Sequence, residues 1–125
     1  MNGVQPDGSL GKVKYAFDGI FNHLDSQKHI FETAVAPIVE GVMEGFNGTV
    51  LAYGQTSSGK THTMSGPDMY IEELRGVIPR MVSYVFGMIE NASEEIEFTV
   101  KVSMIEIYME KIRDLIDPTR TNLKV

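Results

Sequence analysis

The segment Gly54-Gln-Thr-Ser-Ser-Gly59-Lys60-Thr61 constrains this chain more than any other, because it matches G-x-x-x-x-G-K-[ST] at every defined position. Glycine at both ends lets the backbone curl so that successive amides point at phosphate oxygens. In this pattern the lysine reaches the β- and γ-phosphates and the threonine hydroxyl binds Mg²⁺. The pattern therefore predicts a site for a nucleoside triphosphate and leaves the base open.

The residues on both sides of this loop support the same interpretation. Thr49–Tyr53 is rich in β-forming apolar residues, which predicts a strand buried on both faces, as in a helix-covered parallel sheet. After the loop, Lys60–Met64 predicts a short helix that begins at the phosphates and is broken at Ser65–Asp68. A glycine-rich turn that fits the pattern by accident is the alternative, and the strand–loop–helix order counts against it.

Two longer helices are predicted from apolar residues spaced three and four positions apart. The first runs from a cap at Asp25 or Ser26 to a stop at Gly45, and Pro37 predicts either a kink or two abutting segments. The second covers Val77–Ile89 with Pro79 in its first turn. A loop is expected between about residues 65 and 76.

Strands are predicted by alternating or β-rich residues. Val13–Phe17 fits a short strand, and alternation over residues 96–104 predicts a longer one. Residues 106–116 fit either a strand or a helix, and periodicity alone does not decide between them.

Composition limits the class of protein. The chain has 125 residues, 11 Lys and Arg against 17 Asp and Glu, a net charge of −6 and no cysteine. The length suits one domain, and the acidic balance argues against nucleic acid as a partner. A chain without cysteine has no disulfide framework, and its apolar runs are too short to span a membrane. We expect the polar, glycine-rich residues 1–14 to be a flexible lead-in.

The stretch Phe46–Met64 resembles the phosphate-loop region of kinesin motor heads. Four further segments resemble kinesin segments in the same order: Tyr15–Asp18 with Ile20 and Phe21, Gly76–Arg80, Val102–Tyr108 and Glu110–Leu115. The Thr-Ser-Ser variant inside the loop and the ending Thr121–Leu123 are most similar to conventional kinesin heavy chains.

The resemblance implies a P-loop NTPase fold, an α/β protein of three layers (α/β/α), of which residues 15–125 are a partial motor domain. It implies ATP and Mg²⁺ as cofactors. Lys60 would neutralise phosphate charge as the catalytic residue of this chain, Thr61 would bind Mg²⁺, and His62 would lie near the adenine. The implied ATP-binding residues are Gly54, Gln55, Thr56, Ser57, Ser58, Gly59, Lys60, Thr61 and His62. It also favours strand, turn at Met109–Lys111 and strand for the ambiguous stretch.

Two kinesin motifs that act on the γ-phosphate do not occur in this sequence. Neither N-x-x-S-S-R-S-H nor D-L-A-G-x-E is present, and the Arg-x-Arg-Pro adenine clamp is also missing. Phosphoryl transfer needs groups beyond the phosphate loop to orient the attacking water. We therefore expect the chain to be an internal piece of a longer motor and not to hydrolyse ATP by itself.

In the intact parent, the resemblance implies a P-loop ATPase that drives movement along microtubules in the cytoplasm. Tubulin would be bound by parts mostly outside this chain, and the parent would be a homodimer through a downstream coiled coil. One alternative is a non-hydrolysing nucleotide- or microtubule-binding module derived from a motor head. The other is a non-motor P-loop kinase or GTPase, against which the flanking motifs count.

Overall fold

The computed structural model describes residues 14–124, together with the backbone of residues 2–4 and 10–12. Contacts divide them into two units, Met1–Glu90 and Asn91–Val125, and each is described by itself. The first unit begins with an antiparallel pair, β1 (Asn2–Val4) and β2 (Leu10–Lys12). This pair lies within residues 1–14, the expected lead-in. Residues 1, 5–9 and 13 lie outside the description. The boundary between the lead-in and the motor portion at residue 14 stays a prediction.

The first predicted helix forms as one continuous helical run, residues 27–43, with a widened turn in its middle. Helix α1 (Gln27–Ile30) begins at Ser26, whose Oγ accepts a hydrogen bond from the His29 amide at 3.1 Å. A π turn (Phe31–Val35) then leads into α2 (Ala36–Met43). Proline has no N–H, so the predicted disturbance at Pro37 takes the form of this turn, across which the Ala36 amide donates to the Phe31 carbonyl.

The run ends where the sequence predicts, at Gly45. Gly45 has φ +100°, and its amide donates to the Val42 carbonyl at 3.0 Å. The Phe46 amide donates to the Gly41 carbonyl, also at 3.0 Å. These two bonds satisfy carbonyls that the helix leaves unpaired, as in a Schellman motif.

A small apolar core joins this run to the second predicted helix, α4 (Val77–Glu90). Its buried residues are Phe31, Val35, Ala36, Val39 and Val77. Partly buried side chains surround them: Val50, Met64, Met81, Tyr84, Val85 and Met88. At one edge Tyr84 packs edge-to-face on Phe31, with ring centroids 5.7 Å apart, and its hydroxyl donates to Glu40 at 2.6 Å. That hydrogen bond is the main reason why the pKa of Tyr84 is raised above its ordinary value.

Between these helices lie α3 (Lys60–Met64) and the predicted loop. The loop contains one 3-10 turn, Glu72–Leu74, and it is closed at its base by the Gly76 amide donating to the Ser65 carbonyl at 3.0 Å. Arg80 holds it from α4, since its guanidinium donates to the carbonyls of Arg75 at 3.0 Å and Glu72 at 2.6 Å. In the part of the chain that is described, no helix is long and apolar enough to cross a membrane.

Three strand predictions are wrong for the residues described. Residues 14–17, 49–53 and 96–104 form no strand, and Val13 is outside the description. A strand needs a ladder of hydrogen bonds to a neighbour, and no described strand pairs with these segments; their one long-range backbone bond among the described residues is from the Leu115 amide to the Met104 carbonyl, at 2.8 Å. Leu51 and Tyr53, predicted to be buried, are 82% and 94% exposed, because the described core covers only the side on which Val50 lies.

The second unit decides the ambiguous stretch in favour of strands. β3 (Ile105–Tyr108) pairs antiparallel with β4 (Lys111–Asp114), in a register that places Tyr108 opposite Lys111. The turn residues Met109 and Glu110 both have positive φ, 47° and 61°, as in the tight turns that match the twist of paired strands. The predicted strand–turn–strand is confirmed and the helix is excluded.

Asp114, at the end of β4, organises the turn that follows. Its Oδ1 accepts hydrogen bonds from the amides of Ile116 at 2.9 Å and Asp117 at 3.1 Å. The Arg120 guanidinium lies 3.3 Å from Oδ2. The backbone hydrogen bonds from Asp117 and Ile116 hold the pKa of Asp114 below its ordinary value, with a smaller contribution from Arg120.

We expect Asp114 to stabilise the β3–β4 hairpin in a pH-dependent way. A carboxyl with a depressed folded-state pKa stabilises fully above its unfolded value of 3.8, and that contribution is lost as pH falls through the folded-state pKa. At neutral pH the hairpin amides should therefore exchange faster in Asp114→Asn than in the unsubstituted protein. The ratio of the two exchange rates should shrink in acid. Hydrogen–deuterium exchange at matched pH measures this ratio. Asp18→Asn, at an exposed position, is the control, and a ratio for D114N that does not change with pH would contradict the assignment.

Candidate nucleotide-binding site

The loop predicted to bind phosphate is attached at both ends to the apolar core. Val50 lies four positions before Gly54, and Met64 is the last residue of α3; both side chains pack against the core of the first unit. Between these anchors, Gln55, Thr56, Ser57 and Ser58 are exposed. The core therefore holds the two ends of the loop and leaves its middle open to solvent.

The backbone of the loop is strongly curled. Ser57 and Gly59 have φ of +63° and +95°, a left-handed conformation that costs free energy for serine and little for glycine. The Ser58 amide donates to the Gln55 carbonyl at 3.2 Å, which closes a tight turn. Gly54 lies against Ser58 so closely that a Cβ at position 54 would overlap the Ser58 hydroxyl. The loop therefore favours glycine at position 59 through its backbone conformation and leaves little room for a side chain at position 54.

Backbone amides at the end of the loop are available to a ligand. Lys60 and Thr61 are the first residues of α3, and amides in a first helical turn have no acceptor within the helix. Across the described residues no backbone carbonyl accepts from them, and no side chain caps this helix. Unpaired amides that follow a curled glycine loop are suited to anionic oxygens.

Lys60 places its ammonium group over the start of the loop. Its Nζ donates to the carbonyls of Gly54 at 2.8 Å and Gln55 at 2.7 Å. No carboxylate of the described chain forms an ion pair with it. Because neutral carbonyls hold the ammonium without cancelling its charge, the loop carries a net positive charge that suits a phosphate.

The metal prediction depends on Thr61 alone. Its side chain is exposed on α3, next to Lys60. In residues 14–124 no group of three or more His, Asp or Glu side chains could hold a metal ion. One hydroxyl beside a phosphate loop fits Mg²⁺ that arrives with a nucleotide, because Mg²⁺ in such sites takes most of its ligands from phosphates and water.

Gln27 is a residue of this site that sequence reasoning missed. It is the first residue of α1 and is 8% exposed. Its Nε2 donates to the His62 carbonyl at 2.7 Å and lies 3.2 Å from the His62 imidazole Nδ1. Nothing in the sequence signals this contact, because a glutamine in a first helical turn has the pattern of an ordinary surface residue.

A curled G-x-x-x-x-G-K-T loop that leads into a helix, with a lysine ammonium held over it by carbonyls, defines the P-loop class of nucleotide-binding proteins. Comparison with known proteins identifies the family within this class. The kinesin motor domain family matches residues 2–125. The chain therefore belongs to the kinesin motor domain family, which confirms the resemblance seen in the sequence.

Individual relatives agree with this assignment. The chain is 50% identical over 116 residues to human kinesin-1 heavy chain, covering 93% of this chain and 12% of that protein. It is 48% identical over 124 residues to kinesin-related protein 3 of Dictyostelium discoideum, covering 98% of this chain and 10% of that protein. The chain thus spans about a tenth of the length of these relatives.

A solved structure shares the fold. It is the structure of a fast kinesin, described for its ATPase mechanism and its interactions with microtubules, and it matches with a TM-score of 0.85 and 45% identity. The match covers 88% of this chain and 31% of the kinesin chain. The predicted kinesin P-loop fold is confirmed, and this chain contains part of it.

We expect Gly54→Ala to weaken ATP binding about threefold, because the added Cβ overlaps the Ser58 hydroxyl, which must rotate to a new position in the loop. Adding Ser58→Ala removes that oxygen and leaves the nearest contact at 3.2 Å, so the double variant should recover part of the loss. Titration with a fluorescent ATP analogue measures the affinity of the single and the double variant.

The control for this pair is Gly41→Ala in α2, where an added Cβ meets nothing within 4 Å. Its affinity for ATP should equal that of the unsubstituted protein. Equal affinity in G54A itself would show that the loop does not depend on the close contact between residues 54 and 58.

Proposed function

We propose that this chain is the ATP-binding portion of a motor that couples ATP hydrolysis to movement along microtubules. The observation that carries the proposal is the Lys60 ammonium, held over a curled phosphate loop by two carbonyls and paired with no carboxylate of the described chain. Membership of the kinesin motor domain family supports ATP as the nucleotide. The similar fast kinesin, studied for its ATPase mechanism and microtubule interactions, supports the microtubule as the partner.

The residues of the loop divide the work of binding. Lys60 exchanges its bonds to the Gly54 and Gln55 carbonyls for bonds to the β- and γ-phosphates and neutralises their charge. The unpaired amides of the loop, those of Lys60 and Thr61 among them, would surround the phosphates, and the Thr61 hydroxyl would hold the Mg²⁺ that accompanies ATP. When bound, Mg²⁺ neutralises charge that develops on the phosphates. His62, next in sequence, would lie near the base.

The chain contributes binding groups and lacks those that orient water. Neither kinesin switch sequence occurs in it. We infer that the full-length protein hydrolyses ATP and that residues 1–125 alone do not. With a net charge of −6, this portion is also unsuited to binding an acidic polymer such as the microtubule by itself.

The remaining properties of the full-length protein follow from the same proposal. We infer that it acts in the cytoplasm on the microtubule cytoskeleton, that it contacts tubulin mostly through residues outside this chain, and that it dimerises through a coiled coil. Residues 15–125 would be the phosphate-loop portion of the motor domain.

Lys60→Ala should weaken ATP binding by the full-length protein about a hundredfold, because two or more charge-assisted hydrogen bonds to phosphate are lost. Equilibrium titration with a fluorescent ATP analogue measures the loss. Lys28→Ala is the matched control, since Lys28 is a surface lysine that pairs with Glu32 at 3.7 Å. Near-normal affinity in K60A would contradict the role of Lys60.

Thr61→Ala should reduce the affinity for ATP about tenfold in the presence of Mg²⁺ and leave it unchanged in EDTA, because only a metal ligand is removed. Thr63→Ala, two positions further along α3, is the control and should behave like the unsubstituted protein in both conditions. An equal loss with and without Mg²⁺ would indicate that Thr61 supports the loop and not the metal.

Phosphate release with and without microtubules separates the motor from a binding module. Turnover that microtubules stimulate in the full-length protein is expected of the motor. Nucleotide binding without turnover in the full-length protein would indicate the non-hydrolysing module. Turnover by residues 1–125 alone would overturn the inference that the missing switch sequences are required.

A further inference from the structure

The contact between Gln27 and His62 has an unusual geometry. One atom, Nε2 of Gln27, meets both acceptor-capable groups of His62: the backbone carbonyl at 2.7 Å and the imidazole Nδ1 at 3.2 Å. The glutamine is buried, and the two residues lie 35 positions apart in sequence. The contact joins the beginning of the long helical run to the residue that directly follows Lys60 and Thr61.

The chemistry of the two groups determines where the protons are. A backbone carbonyl only accepts hydrogen bonds, so the glutamine atom beside it is the amide nitrogen, which only donates. One of its hydrogens goes to the carbonyl and the other faces Nδ1. Nδ1 must then be the unprotonated, accepting nitrogen, and the ring proton is on Nε2.

We propose that Gln27 is a positioning residue of the nucleotide site, which anchors the first turn of α3 through the His62 carbonyl and fixes the His62 imidazole as the Nε2–H tautomer. The part of the proposal that concerns nucleotide affinity rests on the function proposed above. The part that concerns the tautomer does not, because it follows from the contact alone.

Anchoring matters because α3 has few bonds of its own. It is five residues long, begins at Lys60 without a side-chain cap and ends at Ser65. The Gln27 bond to the His62 carbonyl restrains the backbone just beyond the two residues expected to bind phosphate and Mg²⁺. The core residues Phe31 and Val35 hold the other end of this link, since they belong to the same helical run as Gln27.

The fixed tautomer determines what His62 presents to a base. The His62 side chain is exposed, so its Nε2–H is available as a donor. Purine rings carry unprotonated nitrogens that accept hydrogen bonds. A neutral imidazole in this tautomer can therefore donate to a purine, whereas the other tautomer would present a second acceptor.

A second observation separates a functional role for Gln27 from a structural one. Its Oε1 is buried and receives no hydrogen bond from any of the described residues. A buried polar atom without a partner is unfavourable for folding. An apolar side chain of the same length should therefore be tolerated by the fold, and its main cost should appear in nucleotide binding.

Gln27→Met in the full-length protein tests this directly. The thermal midpoint of Q27M should equal or exceed that of the unsubstituted protein, and its Kd for ATP should be about five- to tenfold weaker, as expected for the loss of one or two hydrogen bonds at a binding site. Tyr84→Phe is the matched control. It removes the 2.6 Å hydrogen bond that Tyr84 of α4 donates to Glu40 of the same helical run, and it should leave the Kd for ATP unchanged.

The tautomer is measured by ¹⁵N NMR of the imidazole nitrogens without nucleotide. The chain has three histidines, and His62→Ala identifies the signals of His62. The unsubstituted protein should show a protonated Nε2 and a bare Nδ1. In Gln27→Glu the carboxylate only accepts, so Nδ1 should become protonated. A purely structural glutamine would not shift the proton between ring nitrogens.

The outcomes distinguish this proposal from the proposed function. If the unsubstituted protein does not bind ATP, the proposed function fails, and the NMR measurement still decides the tautomer. If it binds ATP and Q27M binds equally well, the positioning role is overturned and the proposed function stands. A protonated Nδ1 in the unsubstituted protein would overturn the assigned tautomer, whatever the affinity for ATP.

Discussion

The packing of the first helical run against the start of α4 is the interaction on which the rest of the first unit depends. Phe31, Val35, Ala36 and Val39 bury their side chains against Val77, and Val50 and Met64 lie at the margin of this cluster. The π turn before Pro37 keeps the run continuous, so that these residues face one side. Since Val50 and Met64 lie on either side of the phosphate loop, the core also fixes the distance that the loop spans.

The site follows from a loop that is anchored at its ends and unsatisfied in its middle. The amides of Lys60 and Thr61 have no acceptor in the described backbone, and the Lys60 ammonium is held only by carbonyls. Both features are favourable for an anion. Gln27 adds a tie from the core to α3, which lets a helix of five residues keep its place.

Sequence reasoning succeeded where the deciding interactions are local. The Ser26 cap, the stop at Gly45 and the span of α4 each depend on residues within a turn of one another, and each is found as predicted. It failed for the strands at 49–53 and 96–104, because a strand requires a partner along its length and no described strand pairs with either segment. The stretch 105–114 does form strands, because β3 and β4 are each other's hydrogen-bonded partner.

The amino-acid sequence alone was enough to identify the phosphate loop and, through its flanking segments, the kinesin family, because phosphate binding requires glycine and lysine at fixed spacing whatever surrounds them. The side chains that support that loop are visible only in the folded molecule. The contact between Gln27 and His62 joins residues 35 positions apart, and no local pattern encodes it. It exists because the core packs the helical run against α4 and so carries a buried amide to the first turn of α3.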